Sequence, residues 1–248
     1  MSKGIEGFCR LCGRFGLLTF EHTPPRKAFN NNQIFLRTIE DHVSDRGERT
    51  RFRRGLGAYS LCGRCNTRTG AWYGPAFIEW SKQGFAWYER YKGDRLLSLP
   101  YSIKPLNVLK QVLVMAIANS TELGISKHSD LRSFLLNPKS REMPSKYTAS
   151  VHYSMAGLRR HNANMAIMDV AGGGSNYVFA EIVIPPFGYC VTQPIGTNKS
   201  LIESKGLFDM MVFSRYAYDE WTRLHLRIPS KETFFPSPLD YRDSSGVE

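Results

Sequence analysis

Long apolar runs are absent from this 248-residue chain. The longest candidate, residues 108–118, contains Lys110 and Gln111 and falls short of the roughly 18 residues a membrane span requires. The opening Met1-Ser-Lys-Gly-Ile-Glu-Gly has no apolar segment of the signal-peptide kind. A cytoplasmic protein without membrane attachment is expected. Cysteine is scarce, five in all, which excludes a fold held by a dense disulfide framework. Acidic residues are also few: 22 Asp and Glu face 33 Lys and Arg, for a net charge of +11. Repeats and low-complexity segments are missing. What is present, 42% hydrophobic residues over this length, suffices to bury a core without help from metal or cross-links throughout.

The positive charge is unevenly spread. Residues 1–70 hold 13 basic and 6 acidic residues, whereas residues 71–248 hold 20 and 16. Most of the excess therefore sits in little more than a quarter of the chain. A polyanionic partner is expected to meet that first segment.

Four of the five cysteines fall into two pairs, Cys9-Arg-Leu-Cys12 and Cys62-Gly-Arg-Cys65. Two intervening residues allow one tight turn to present both thiolates to a single ion, and two such knuckles complete a tetrahedral shell. Zn²⁺ suits four thiolates best, with no coordination position left over for chemistry, so a structural zinc ion is expected. Beside this stand an iron–sulfur cluster on the same sulfurs, and two independent pairs of which one is a redox Cys-x-x-Cys. Cys190 lies in an apolar stretch and is expected to be a small buried side chain.

Between the pairs runs Phe20-Glu21-His22-Thr23-Pro24-Pro25. Leu17, Leu18 and Phe20 favour a strand that the two prolines stop, which puts Glu21 and His22 at a strand end. The second pair continues into Asn66-Thr67-Arg68 and then an aromatic segment, Trp72 to Trp80, with helical spacing. Knuckle, strand, Glu-His, loop, knuckle and helix follow in the order of a treble clef, a zinc-stapled ββα unit. Over residues 8–80 the chain resembles the HNH endonuclease superfamily, in particular its four-cysteine members.

That resemblance implies a ββα-metal nuclease in which a divalent ion, Mg²⁺ or Mn²⁺, sits beside the structural zinc. His22 would be the general base, and Glu21 and Asn66 would hold the catalytic ion. It further implies phosphodiester hydrolysis, on DNA more than on RNA, with restriction, phage defence or mobile-element biology as settings. The residue types suit these roles: imidazole titrates near neutrality, and a hard cation prefers carboxylate and amide oxygens. Strand alternation would turn Glu21 and His22 to opposite faces, so a bend between them is expected. Many family members carry an Asn shortly before the second knuckle, where it braces the loop. This chain has none between Asn32 and Cys62, which leaves Asn30, Asn31 and Asn32 as substitutes. Asp41-His42 is a rival acidic-His pair, set aside because it fits the spacing from Cys12 less well.

Residues 46–54 contain Arg46, Arg49, Arg51, Arg53 and Arg54. Guanidinium forks there, joined by Arg68, are expected to contact phosphates and supply affinity without reading sequence. The aromatic helix is expected to be core. Beyond it, residues 105–119 read as a helix, 131–136 as another, and 146–153 as a strand; 165–170 and 177–184 read as a hairpin about Gly172–Gly174, and 207–213 as a further strand. The whole is α+β: a zinc-stabilised, HNH-like unit over 1–95, and an α+β domain with an antiparallel sheet over 96–248 that targets, regulates or binds a protein partner or activator. The alternative is a non-catalytic treble-clef zinc module that binds nucleic acid or a protein.

Overall fold

One tight turn and one strand-to-helix junction bring the cysteines to one corner of the molecule. The computed structural model describes residues 5–36, 50–53, 55–91, 98–120, 129–154, 159–167, 177–194 and 206–231. Strands β1 (Ile5–Phe8) and β2 (Phe15–His22) form an antiparallel hairpin in which Phe8 faces Phe15. The turn between them carries Cys9 and Cys12 and is closed by Cys9 N–H to Arg14 O (2.9 Å) and Gly13 N–H to Cys9 O (2.7 Å). Gly13 has φ +76°, the left-handed conformation that lets the chain reverse without a Cβ clash.

Next come β3 (Ile34–Leu36) and β4 (Thr50–Phe52), paired with each other, and β5 (Gly57–Cys62), which lies antiparallel to β2 and completes a sheet ordered β1-β2-β5. Strand β5 runs directly into α1 (Gly63–Tyr91). This 29-residue helix contains the aromatic segment read from the sequence and buries Tyr73, Phe77, Trp80 and Gly84 along one side. A Cβ at Gly84 would fall 2.2 Å from the Phe187 ring, so glycine is what lets the helix approach the neighbouring sheet.

After β6 (Leu99–Ile103) comes α2 (Pro105–Asn119), which matches the expected helix. Proline at its first position costs no hydrogen bond there. Every residue of α2 is buried. Burial on all sides explains why its polar members are specifically engaged. Lys110, fully enclosed, donates from Nζ to the carbonyls of Phe134 (2.9 Å), Asn137 (2.7 Å) and Pro138 (3.1 Å), which close the end of α3 (Ser129–Leu136). Tyr73 Oη donates to Leu135 O at 2.7 Å in the same cap. Burial brings the Lys110 ammonium down to about 7, against which the three acceptors at a helix C-terminus favour its charge.

The larger sheet contains β7 (Thr148–Ser154), β8 (Arg160–Ile167), β9 (Tyr177–Ile184), β10 (Phe187–Pro194) and β11 (Phe208–Asp209), in the order β11-β7-β10-β9-β8 with antiparallel neighbours. Strand β12 (Thr222–Leu226) pairs with β6, and β13 (Ser230–Lys231) joins β7 in parallel. The expected pairing of β8 with β9 is present, while the Gly172–Gly174 turn lies outside the described residues. The strand expected over 207–213 is corrected: after the two residues of β11 the chain turns into a 3-10 helix, Met210–Arg215. Asp209 explains the switch, because its carboxylate caps that helix by accepting from Met211 N–H at 2.8 Å.

One face of the sheet packs against α1 and α2. Trp80 stacks on Phe187 (centroids 4.7 Å apart) and donates from Nε1 to Tyr189 Oη at 2.9 Å. Tyr101 and Tyr153 join hydroxyls beside it. A single apolar cluster runs from Cys9, Leu11 and Cys65 through Trp80 and Leu113 to Ile182 and Val191. The architecture is mixed α and β with antiparallel sheets, and the cysteine corner shares its core with the large sheet. Each fully buried aliphatic or aromatic side chain in that core contributes about 1.5–3 kcal/mol.

Candidate functional site

The two cysteine pairs converge from the β1–β2 turn and from the β5–α1 junction. The Sγ atoms of Cys9, Cys12, Cys62 and Cys65 all lie within 4.8 Å of one another, and those of Cys12 and Cys62 are 3.9 Å apart. Tetrahedral zinc with bonds of about 2.3 Å needs sulfur–sulfur edges of about 3.8 Å, so this donor set fits the ion. Proton affinities reflect the crowding. A hydrogen bond from the Cys65 thiol holds Cys9 down to about 4, while the same contact pushes Cys65 up, and burial pushes Cys12 up. Cys9 and Cys65 are buried, and Cys12 and Cys62 half-buried. Cys190 is buried in the large sheet, far along the chain from this cluster.

The clamp seats the start of α1 against β2. Asn66, one residue past Cys65, donates from Nδ2 to Thr19 Oγ1 (3.0 Å) and to Phe20 O (3.2 Å). With both amide hydrogens committed to the strand, Oδ1 is the atom this side chain has to offer as an acceptor or ligand. The next residue along β2 is Glu21. It is 7% exposed, with no hydrogen-bond or ion-pair partner among the described residues, and burial pushes its carboxyl up to about 7. A buried carboxyl without a counter-charge is costly to ionise, and a cation at the site removes that cost.

His22 closes the strand. The bend expected before it is absent: β2 continues through His22, and the imidazole packs edge-on against Phe20, centroids 4.9 Å apart, on the face that also carries Tyr59. Glu21 and Asn66 are thus gathered on one side of the strand end, and His22 on the other.

Asn30 holds the loops around this strand end. Fully buried, it donates from Nδ2 to Pro24 O (2.7 Å) and Leu56 O (2.8 Å), and its Oδ1 accepts from Leu56 N–H (2.7 Å). Leu56 O in turn accepts from Thr23 N–H at 3.0 Å. Of the three substitutes available in the sequence, Asn30 is the one that braces the loop, whereas Asn31 and Asn32 are exposed. Gly55 makes room for it, and Gly57 makes room for the strand end beside it. A Cβ at Gly55 would fall 2.0 Å from Asn30 O, and one at Gly57 would fall 2.2 Å from Glu21 O. Neither Asn30's partner nor these close approaches could be read from local spacing, because they join segments 25 to 36 residues apart.

The same corner is anchored to the C-terminal end of α2. Arg10 donates from Nη1 to Ala118 O at 2.6 Å, a cation at a helix C-terminus, and Thr23 Oγ1 donates to Asn119 Oδ1 at 3.0 Å. Of the six arginines expected to meet phosphate, Arg51 and Arg53 are exposed beside the β3–β4 pair, with Arg51 Nη2 on Gln33 Oε1 (2.6 Å), and Arg68 is exposed on α1. Arg46, Arg49 and Arg54 lie outside the described residues, as does the rival pair Asp41-His42. Among the described residues, no helix is long and apolar enough to cross a membrane. No known protein family matches the sequence, and neither the curated proteins nor the solved structures contain a match to it.

Proposed function

We propose that the chain is a metal-dependent endonuclease of the HNH kind, with its first segment a zinc-stapled treble clef that hydrolyses phosphodiester bonds in nucleic acid, DNA before RNA. The observation that carries the reading is the buried, unpartnered Glu21 carboxyl lying one residue from the strand atoms held by Asn66. Hard divalent ions prefer such oxygen donors and keep several waters, so one carboxylate and one amide oxygen suit Mg²⁺ or Mn²⁺. When bound, that ion supplies positive charge to the scissile phosphate and its leaving oxygen.

Because His22 and the Glu21–Asn66 pair stand on opposite faces of β2, the scissile phosphate must sit at the open end of the strand, within reach of both. His22 accepts a proton from water, the water oxygen forms the new bond to phosphorus, and the bond to the leaving oxygen breaks. Asn30 keeps the strand end and the β5 loop in register while this occurs. Arg51, Arg53 and Arg68 add sequence-independent phosphate contacts. The zinc ion, closed by four thiolates, takes no part in the chemistry.

A non-catalytic zinc module is the second reading, favoured by the contact of His22 with Phe20, away from Glu21. Supercoiled plasmid incubated with the zinc-loaded chain and Mg²⁺ or Mn²⁺ separates the two. Nicking or linearisation that His22→Ala abolishes, at unchanged zinc content, supports the nuclease. Plasmid binding by both proteins without cleavage supports the module.

A further inference from the structure

The β1–β2 hairpin exposes apolar side chains that the cysteine clamp does not use. Phe8, Phe15 and Leu17 are 66%, 63% and 62% exposed, and the two rings meet edge to face with centroids 5.2 Å apart. Exposure alternates along β2, which puts Phe15 and Leu17 on the same face as Thr19, the acceptor for Asn66. Glu21 follows on that face past a bulge whose extra residue, Ser60, lies in β5. Patch and carboxyl are therefore successive stations along one strand, with Phe15 and Glu21 about 20 Å apart at ~3.3 Å per residue.

The first segment as a whole, to which the patch belongs, is cationic. Within residues 5–36, 50–53 and 55–70 there are eight Arg and Lys against two acids, Glu6 and the buried Glu21. Arg14 adjoins Phe15, and the Arg132 guanidinium of α3 reaches the knuckle, 3.0 Å from where a Cβ on Gly13 would stand. Glu6, across from Leu17, is the one exposed acid on the face. A second copy of the chain would bring like charge against like. Duplex nucleic acid satisfies the cations but keeps its base faces stacked away from the rings.

We infer that this face is a stacking platform for the unpaired bases of a nucleic-acid strand whose backbone runs on toward Glu21 and Asn66. Phe8 and Phe15 present π-surface that any base can cover, with the neighbouring arginines on its phosphates. The inference rests on the nucleic-acid reading proposed above and narrows it to substrates with an unpaired segment.

The test is fluorescence anisotropy of a labelled 20-nucleotide oligothymidylate and of a 20-base-pair duplex, with zinc-loaded protein and no added Mg²⁺, so that cleavage does not intrude. Phe8→Leu with Phe15→Leu keeps the apolar bulk and removes the rings. It is expected to weaken oligothymidylate binding about tenfold or more. Duplex affinity should change by less than about twofold on the same reasoning, and Phe8→Tyr with Phe15→Tyr should bind as the native chain does. Zinc content reports that the variants fold. Unchanged oligothymidylate affinity in the leucine variant overturns the inference, as does failure of the native chain to bind that strand. So does a self-association or an anionic-vesicle binding that the leucine variant loses while its oligonucleotide binding stays intact. A chain that grips the strand through the rings yet cuts nothing upholds the platform and sinks the hydrolase reading; one that cuts, and binds as well without the rings, does the reverse.

Discussion

Asn30 and Leu56 are joined by a reciprocal pair of hydrogen bonds, Leu56 N–H to Asn30 Oδ1 at 2.7 Å and Asn30 Nδ2 to Leu56 O at 2.8 Å. A side-chain amide thus imitates a strand neighbour, and its second Nδ2 hydrogen ties in Pro24 O at 2.7 Å. The loop that leaves His22 and the loop that enters β5 are fixed to one buried residue. Asn30→Ala is expected to strand two buried backbone groups, Leu56 N–H and Pro24 O, since Leu56 O keeps the Thr23 N–H. At about 1–3 kcal/mol for each unsatisfied group, offset by local rearrangement, urea unfolding should show a loss of roughly 2–4 kcal/mol. A loss below about 0.5 kcal/mol, the range of a neutral surface change, would contradict the latch.

Zinc should be part of the fold. The four-sulfur corner belongs to the same apolar cluster as Trp80 and the large sheet, so freeing it exposes one end of the common core. Metal analysis of purified protein should give one zinc per chain. Cys65→Ser, which substitutes a poor ligand at a buried position, should lower both zinc content and melting temperature. A chelator should produce the same fall in the native protein. A melting temperature that ignores the chelator would place the fold's stability elsewhere.

Proton linkage follows from Glu21. Burial raises its folded-state value from 4.5 to about 7, so between these limits the folded chain binds more protons than the unfolded one. Stability is therefore highest below about pH 4.5 on this account and declines as pH rises through 7, by roughly 3 kcal/mol in all from this one group. Glu21→Gln should remove that slope, which unfolding curves at pH 5, 6, 7 and 8 in the absence of Mg²⁺ would display. An equal slope in both proteins would assign it to other groups.

Helix α3 should depend on Lys110. Replacing that lysine by methionine keeps the stem but removes the ammonium from the carbonyls of Phe134, Asn137 and Pro138, of which Asn137 O keeps the Ser140 N–H. A loss of about 2–4 kcal/mol is expected, with zinc content unchanged. Greater stability in the methionine variant would show that burying the ammonium costs more than its three bonds return.

What could be read from the residues follows the range of the interactions. The cysteine pairs were legible because two-residue spacing fixes the turn locally, and α2 because Val108, Leu109, Val112 and Leu113 carry helical periodicity over fifteen residues. The position of Glu21 and His22 at a strand end was legible from the prolines behind them. Nothing local marks Asn30 as the brace, since Leu56 lies 26 residues away. The pairing of β6 with β12 also escaped, because it joins segments more than a hundred residues apart. At residues 207–213 an apolar run suggested a strand, and the Asp209 cap decided for a 3-10 helix. The absent bend before His22 reflects β5, whose Gly57 and Ala58 keep the strand end paired to its last residue.

The seat for a hard cation between Glu21 and Asn66 is the claim on which the nuclease reading stands. Mn²⁺ titration of the zinc-loaded chain, followed by electron paramagnetic resonance, tests it most directly. One bound Mn²⁺ per chain, lost in Glu21→Gln and weakened at least about tenfold in Asn66→Ala through loss of an oxygen ligand, is the expected result. No bound Mn²⁺, or binding that both variants retain undiminished, would contradict it.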